Sequence, residues 1–165
     1  MTSRAARRAI ASVTVALAVS GCSTLPPLPP RPSGAIAVPT DENLVSSAES
    51  AQSGIHILCT LSAAVLPVVG VLAGDRSDAA WPVWLRALDG HQVYVRWPRG
   101  FSVRFDPAAT LLDENGAVFL LAGSPITLAQ VDADPAGGTK DRPYLASGIV
   151  ETGLGHQEHC YVEKG

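Results

Sequence analysis

A mainly β domain, preceded by a leader and a proline-rich spacer, is predicted from three observations. From about residue 51 onward, short apolar runs alternate with polar residues at period two. Gly-containing turn pairs such as Asp89-Gly90 and Asn115-Gly116 separate those runs. The runs do not alternate with helical segments in the βαβ manner. The 165 residues, 47% hydrophobic and 16% charged, suffice for one domain and are too apolar for a wholly disordered chain.

Residues 1–8 carry Arg4, Arg7 and Arg8 and no acid, residues 9–20 are apolar, and Val19-Ser20-Gly21-Cys22 closes the segment. Basic, then apolar, then small is the order of a secretory signal peptide, here residues 1–21. The apolar run is shorter than the ~20 residues a permanent membrane helix needs. The tetrapeptide resembles the lipobox of bacterial lipoproteins. That resemblance implies diacylation of the Cys22 thiol with palmitate-like chains, cleavage just before it and acylation of the new amine; the alternative is an unmodified or disulfide-bonded Cys22. Two or three acyl chains, at ~0.8 kcal/mol per buried CH₂, anchor a protein stably where one chain is marginal. Arg7-Arg8 invites a twin-arginine export reading, but Ala9-Ile10-Ala11 lacks the residues that usually follow the pair. The general secretion route is expected instead, with folding outside the cytoplasm. Ser23 is not the aspartate that retains some lipoproteins on the inner membrane, which points to the outer membrane where a cell has two.

Loss of the leader removes three arginines and leaves nine basic against fifteen acidic residues, a net charge of −6 in place of −3. Without a Lys/Arg cluster such a domain offers phosphate backbones no counterion-releasing surface, which argues against a nucleic-acid partner.

Residues 22–50 read as the lipidated cysteine and its linker. Six prolines fall between Pro26 and Pro39, so residues 23–40 are expected to form an extended polyproline-like spacer. At ~3.1 Å per residue it would reach roughly 50 Å. A ligand for a proline-recognising module is the less favoured alternative. Asp41 is placed to cap a short helix with Leu44, Val45 and Ala48 as its apolar face. The boundary of the folded domain, residues 51–165, is set near residue 50.

Within that domain, Val93, Val95 and Trp97 share one face of a strand over 92–97, opposite Gln92, Tyr94 and Arg96. Phe101, Val103 and Phe105 repeat the pattern, and Pro98-Arg99-Gly100 between them marks a bend or bulge. Asp89-Gly90 and Asn115-Gly116 signal tight turns, and Gly123-Ser124-Pro125 leads into a strand over 126–131. With 68–72, 146–150 and 160–162 the strands number about eight. This suggests a small antiparallel barrel like those that bind oligonucleotides or oligosaccharides, or alternatively a small β-sandwich. Gly54 to Gly74 has no formal charge and the length of a membrane span. Its polar residues, Pro67 and internal glycines favour two buried strands with a turn near Pro67.

With Cys22 committed to lipid, Cys59 and Cys160 remain, and an oxidising compartment favours a disulfide between them. His56 precedes Cys59 by three residues, and His156 and His159 precede Cys160. The alternative is therefore zinc held by both thiolates and two of the three imidazoles. A disulfide and thiolate ligation exclude each other.

Trp81, Trp84, Tyr94, Trp97, Phe101 and Phe105 supply six of the nine aromatic residues. The last three belong to the face expected in the core. Trp81 and Trp84, on either side of Pro82, are the candidates for surface binding of glycan or lipid. The stretch Trp97-Pro98-Arg99-Gly100-Phe101-Ser102-Val103-Arg104, followed by Asp113-Glu114-Asn115-Gly116, resembles a group of small bacterial envelope proteins without assigned activity. They share a W-P-x-G-[F/Y]-S-V-R segment, a D-x-x-G hairpin and a terminal cysteine-aromatic pair, here Cys160-Tyr161. The resemblance covers about half of the domain and implies a β barrel and no activity.

No nucleophile elbow, phosphate loop or H-E-x-x-H segment is present in the sequence. His91 after the Asp89-Gly90 turn reads as solvated, and Asp132 and Asp134 with Glu151 as wet loop carboxylates rather than an acid/base pair. The expectation is a noncatalytic, lipid-anchored envelope protein with a structural or protein-contact role and no cofactor. The alternative is a binding module for glycan, lipid or metal at the envelope surface.

Overall fold

A computed structural model describes residues 27–47, 59, 67–129, 137–155 and 157–164. Fourteen strands are found there: β1 (Ile36–Ala37), β2 (Thr40–Asp41), β3 (Leu44–Ser46), β4 (Val68–Gly74), β5 (Val83–Ala87), β6 (Gln92–Val93), β7 (Val95–Pro98), β8 (Ser102–Phe105), β9 (Ala109–Leu112), β10 (Val118–Leu121), β11 (Pro125–Leu128), β12 (Tyr144–Leu145), β13 (Gly148–Thr152) and β14 (Gln157–Glu163). The fold is mainly β, as the turn chemistry implies. The expected barrel is not found, because the strands of the described residues form several open sheets. A seven-stranded antiparallel sheet runs β3-β14-β13-β11-β4-β5-β6, a four-stranded one β1-β8-β9-β10, and a three-stranded one β12-β7-β2.

The strand predicted over 92–97 explains part of that difference. Its inward face is as expected, with Val93, Val95 and Trp97 all buried. Its backbone, however, changes partners at Tyr94. The Tyr94 N–H donates to Gly138 O at 2.7 Å and its carbonyl accepts from Tyr144 N–H at 2.9 Å. Val93 therefore pairs with Leu85 of β5, while β7 takes parallel partners on both sides, β12 and β2. The segment thus divides its pairing between two sheets.

Both sheet faces meet in one core. Leu72, Leu85 and Val150 from the seven-stranded sheet pack with Val103, Leu111 and Phe119 from the four-stranded one, all at most 2% exposed. Turns occur where the sequence places them. Gly90 donates to Ala87 O at 2.9 Å between β5 and β6, and Gly116 to Asp113 O at 3.0 Å between β9 and β10. Phe101 is buried and Phe105 half-buried, but Ser102 on the expected outer face is fully buried as well.

Part of the segment read as linker, residues 36–46, joins the sheets. Ile36 pairs with Val103 and Ala37 with Ser102, Thr40 with Trp97, and Val45 with Val162. Val38 and Leu44 belong to the core at 6% and 0% exposure. The prolines permit this because their carbonyls still accept: Pro39 O receives the Trp97 N–H at 2.9 Å, and Pro32 O that of Ala35 at 3.1 Å. Edge positions need only one side of the backbone. The expected helix after Asp41 is also replaced. The Asp41 carboxylate accepts from Asn43 N–H at 2.9 Å in a turn, and residues 44–46 are extended against β14. Non-local pairing and the burial of Leu44 override a weak helical pattern. Ala48 lies outside the described residues.

Within the apolar run 54–74, Val68–Gly74 is a sheet strand between β5 and β11, which excludes one continuous membrane helix over that run. Among the described residues no helix is long and apolar enough to cross a membrane.

Candidate functional site

The candidate site is a pocket of about 290 Å³ where the β9–β10 turn approaches β14 and the end of β3. Its walls are Ser46, Ser47, Asp113, Glu114, Asn115, Glu158, His159, Cys160 and Tyr161. Asp113 sets the turn: its carboxylate accepts from Asn115 N–H at 2.9 Å and from Ala117 N–H at 2.8 Å. This leaves Glu114 and Asn115 projecting beside β14. Register places Tyr161 opposite Ser46 and Glu158 opposite Glu151.

Cys160 is bonded to Cys59, with 6.0 Å between their Cα atoms and a sequence separation of 101. The predicted disulfide is present, and it consumes both sulfurs that the zinc alternative required. Among the described residues no group of three or more His, Cys, Asp or Glu is placed to hold a metal ion. His56 and His156 lie outside the described residues, as does Cys22.

His159 is half-buried, its ring 4.7 Å from that of Phe119 and stacked at 17° and 6.3 Å on that of Tyr161. Burial lowers its pKa below the ordinary 6.5, against an opposing pull from Asp113. Its Nε2 is buried and has no hydrogen-bond partner among the described residues. Tyr161 is 3% exposed, and burial, then the negative charges of Glu114 and Asp113, raise its phenol well above the ordinary value. The wall thus combines three carboxylates with a preferentially neutral imidazole. That arrangement suits a positively charged or hydrogen-bond-donating group.

Trp81 and Trp84 do not line this pocket. Both are half-buried. Trp81 meets the edge of Tyr94 at 5.2 Å and 69°, and its backbone N–H donates to Asp78 at 2.9 Å. Lys140 bonds the other Asp78 oxygen at 2.9 Å and stands 5.3 Å over the Tyr94 ring. The Lys140 ammonium, then the Trp81 N–H, hold the Asp78 carboxyl below its usual range. Trp84 sits opposite Ala73 on β4. The Trp81 indole thus packs on Tyr94, and Trp84 lies on β5 away from the pocket walls.

His91 is exposed and contacts the Asp89 carboxylate across the turn. Glu151 is exposed on β13, and Asp132 and Asp134 lie outside the described residues. Sequence reasoning missed Asp113, Glu114 and Glu158 as neighbours. The only local signal was the Asp113 to Gly116 turn, whose chemistry explains a hairpin without reference to β14.

No family model, no curated protein and no solved structure matches the chain in comparisons with known proteins.

Proposed function

We propose that the protein is a lipid-anchored, extracytoplasmic envelope protein with a noncatalytic structural or protein-contact role, held through acylated Cys22 and on the outer membrane where a cell has two. The observation that carries this reading is the basic, apolar and small-residue order ending in Val19-Ser20-Gly21-Cys22. The Cys59–Cys160 bond supports it, since such bonds persist in oxidising compartments. The half-domain resemblance to small envelope proteins through Trp97 to Arg104 agrees with it. In finer architecture, sheets sharing one core favour a sandwich-like description over a barrel.

A second reading, a binding module for a small envelope ligand, is favoured by the acid-lined pocket at the β9–β10 turn. A cationic group fits those walls better than a neutral glycan does. Mass spectrometry of the mature N-terminal peptide, with and without a lipoprotein-processing inhibitor, tests the anchor. An acylated chain beginning at Cys22 is expected; a chain beginning at Met1 that partitions into the aqueous phase of a detergent extraction overturns the reading. Cross-linking of neighbours in intact envelopes then separates protein contact from ligand binding.

A further inference from the structure

The proline-rich segment is fastened to the domain far closer to Cys22 than its composition suggests. Gly100 has φ +84°, and a Cβ placed on it would stand 3.0 Å from Leu28 Cδ2 and 2.9 Å from Glu114 Cβ. Gly116 has φ +79°, and a Cβ there would stand 2.7 Å from Pro32 Cγ. Two turn glycines without side chains thus leave the space that Leu28 and Pro32 occupy. The chain then turns through the Ala35 to Pro32 hydrogen bond and enters β1. From Leu28 onward the segment is part of the domain surface, and it lies across the Pro98–Gly100 and Asp113–Gly116 turns.

We infer that the end of the domain bearing Leu28, Gly100, Asn115 and Gly116 faces the phospholipid surface at close range, instead of standing off on a long stalk. The inference rests on the proposed acylation of Cys22. Six Cα steps separate Cys22 from Leu28, and fully extended chain spans at most ~3.6 Å per residue, so Leu28 stays within about 22 Å of the lipidated residue. The spacer length that composition alone implies is more than twice that. Asn115 is exposed in the turn beside Pro32, whereas Ala108 is exposed at the other end of β9. Five residues from Ala108 to Asp113 at ~3.3 Å rise, before the chain turns back, place these two positions roughly 16 Å apart along the strand direction. The same turn supplies Asp113, Glu114 and Asn115 to the pocket, which therefore belongs to the anchored end.

Energy transfer to the membrane surface tests this on the full acylated protein. A donor fluorophore is introduced at Asn115 or at Ala108 through a noncanonical amino acid, which leaves the cysteines untouched. The protein is reconstituted in phosphatidylethanolamine/phosphatidylglycerol vesicles containing a headgroup-labelled acceptor lipid. Transfer from position 115 is expected to exceed transfer from position 108 severalfold. Inserting twenty Gly/Ser residues after Pro26, with a root-mean-square span of ~25 Å, should lower transfer from 115 without altering the fold. Equal transfer from both positions, stronger transfer from 108, or no response to the insertion overturns the inference. Loss of the anchor reading is distinguishable: the protein then fails to float with the vesicles, and its N-terminal peptide carries no acyl mass.

Discussion

The rings of Trp97 and Phe101 lie parallel, with 4° between their planes and 6.2 Å between centroids. The turn between them, closed by Phe101 N–H on Pro98 O at 3.3 Å, brings both rings to the same side. Phe119 meets them edge-on at 6.3 and 4.9 Å. Such geometries add about 0.5–1.5 kcal/mol per pair to simple burial. Trp97 is fully buried, yet its indole Nε1 has no acceptor among the described residues. Trp97→Ala should therefore destabilise by about 3–5 kcal/mol through the cavity it leaves. Trp97→Phe should cost under about 2 kcal/mol, because deleting an orphaned donor offsets part of the lost packing. Urea unfolding of both variants checks the ranking, and equal losses would contradict it.

Gly116 and Gly90 both have positive φ, +79° and +90°, but only Gly116 has a neighbour where a Cβ would go. Gly90→Ala should cost about 1 kcal/mol of backbone strain and nothing more. Gly116→Ala should cost more, about 2–3 kcal/mol, since strain is joined by collision with Pro32. Limited proteolysis distinguishes the two. Cleavage by a nonspecific protease within residues 33–36 should accelerate in Gly116→Ala and stay slow in Gly90→Ala.

The parts of this fold legible in the sequence are those whose chemistry is local. Period two located Val93, Val95 and Trp97 in the core, and Asp113 to Gly116 specified its own turn. Residues 36–46 were not legible, because their sheet membership depends on distant partners such as Val103 and Val162. Proline content argues against strand only where both backbone groups are needed, and Pro39 contributes a carbonyl alone. The pocket was half legible. Its cysteine and His159 stood out as chemistry, whereas Asp113 and Glu114 reach them only once β9 and β14 have found their places.

The Cys59–Cys160 bond closes a loop of 101 residues. In the chain-entropy account, a loop of that length stabilises by about 4–5 kcal/mol through the denatured state, with engineered and native cases commonly nearer 2–4. A Cys59→Ala/Cys160→Ala double variant should lose stability in that range. Guanidinium unfolding of the oxidised protein, the reduced protein and the double variant measures it. Reduced protein and double variant should agree closely; an oxidised midpoint no higher than theirs would refute the assignment of a stabilising role.

His159 gives the domain a defined pH response. Desolvation lowers its folded-state pKa below 6.5, while the unfolded chain keeps the ordinary value. Well above pH 6.5 the ring is neutral in both states and this stability is fully present. As pH falls below that value the unfolded state takes up the proton first, so stability drains until the folded-state pKa is passed. The window is separate from that of Asp75, Asp78 and Asp89, whose carboxyls are held below 3.8 and therefore act at lower pH. Substituting His159→Phe keeps an aromatic ring against Phe119 and Tyr161 and removes the titration. The unfolding midpoint of the native chain should drop between about pH 7.5 and about pH 5 by more than that of the variant. All other histidines are common to both proteins, so the difference between the two slopes isolates His159, and identical slopes would show that its ring is solvated in the folded state.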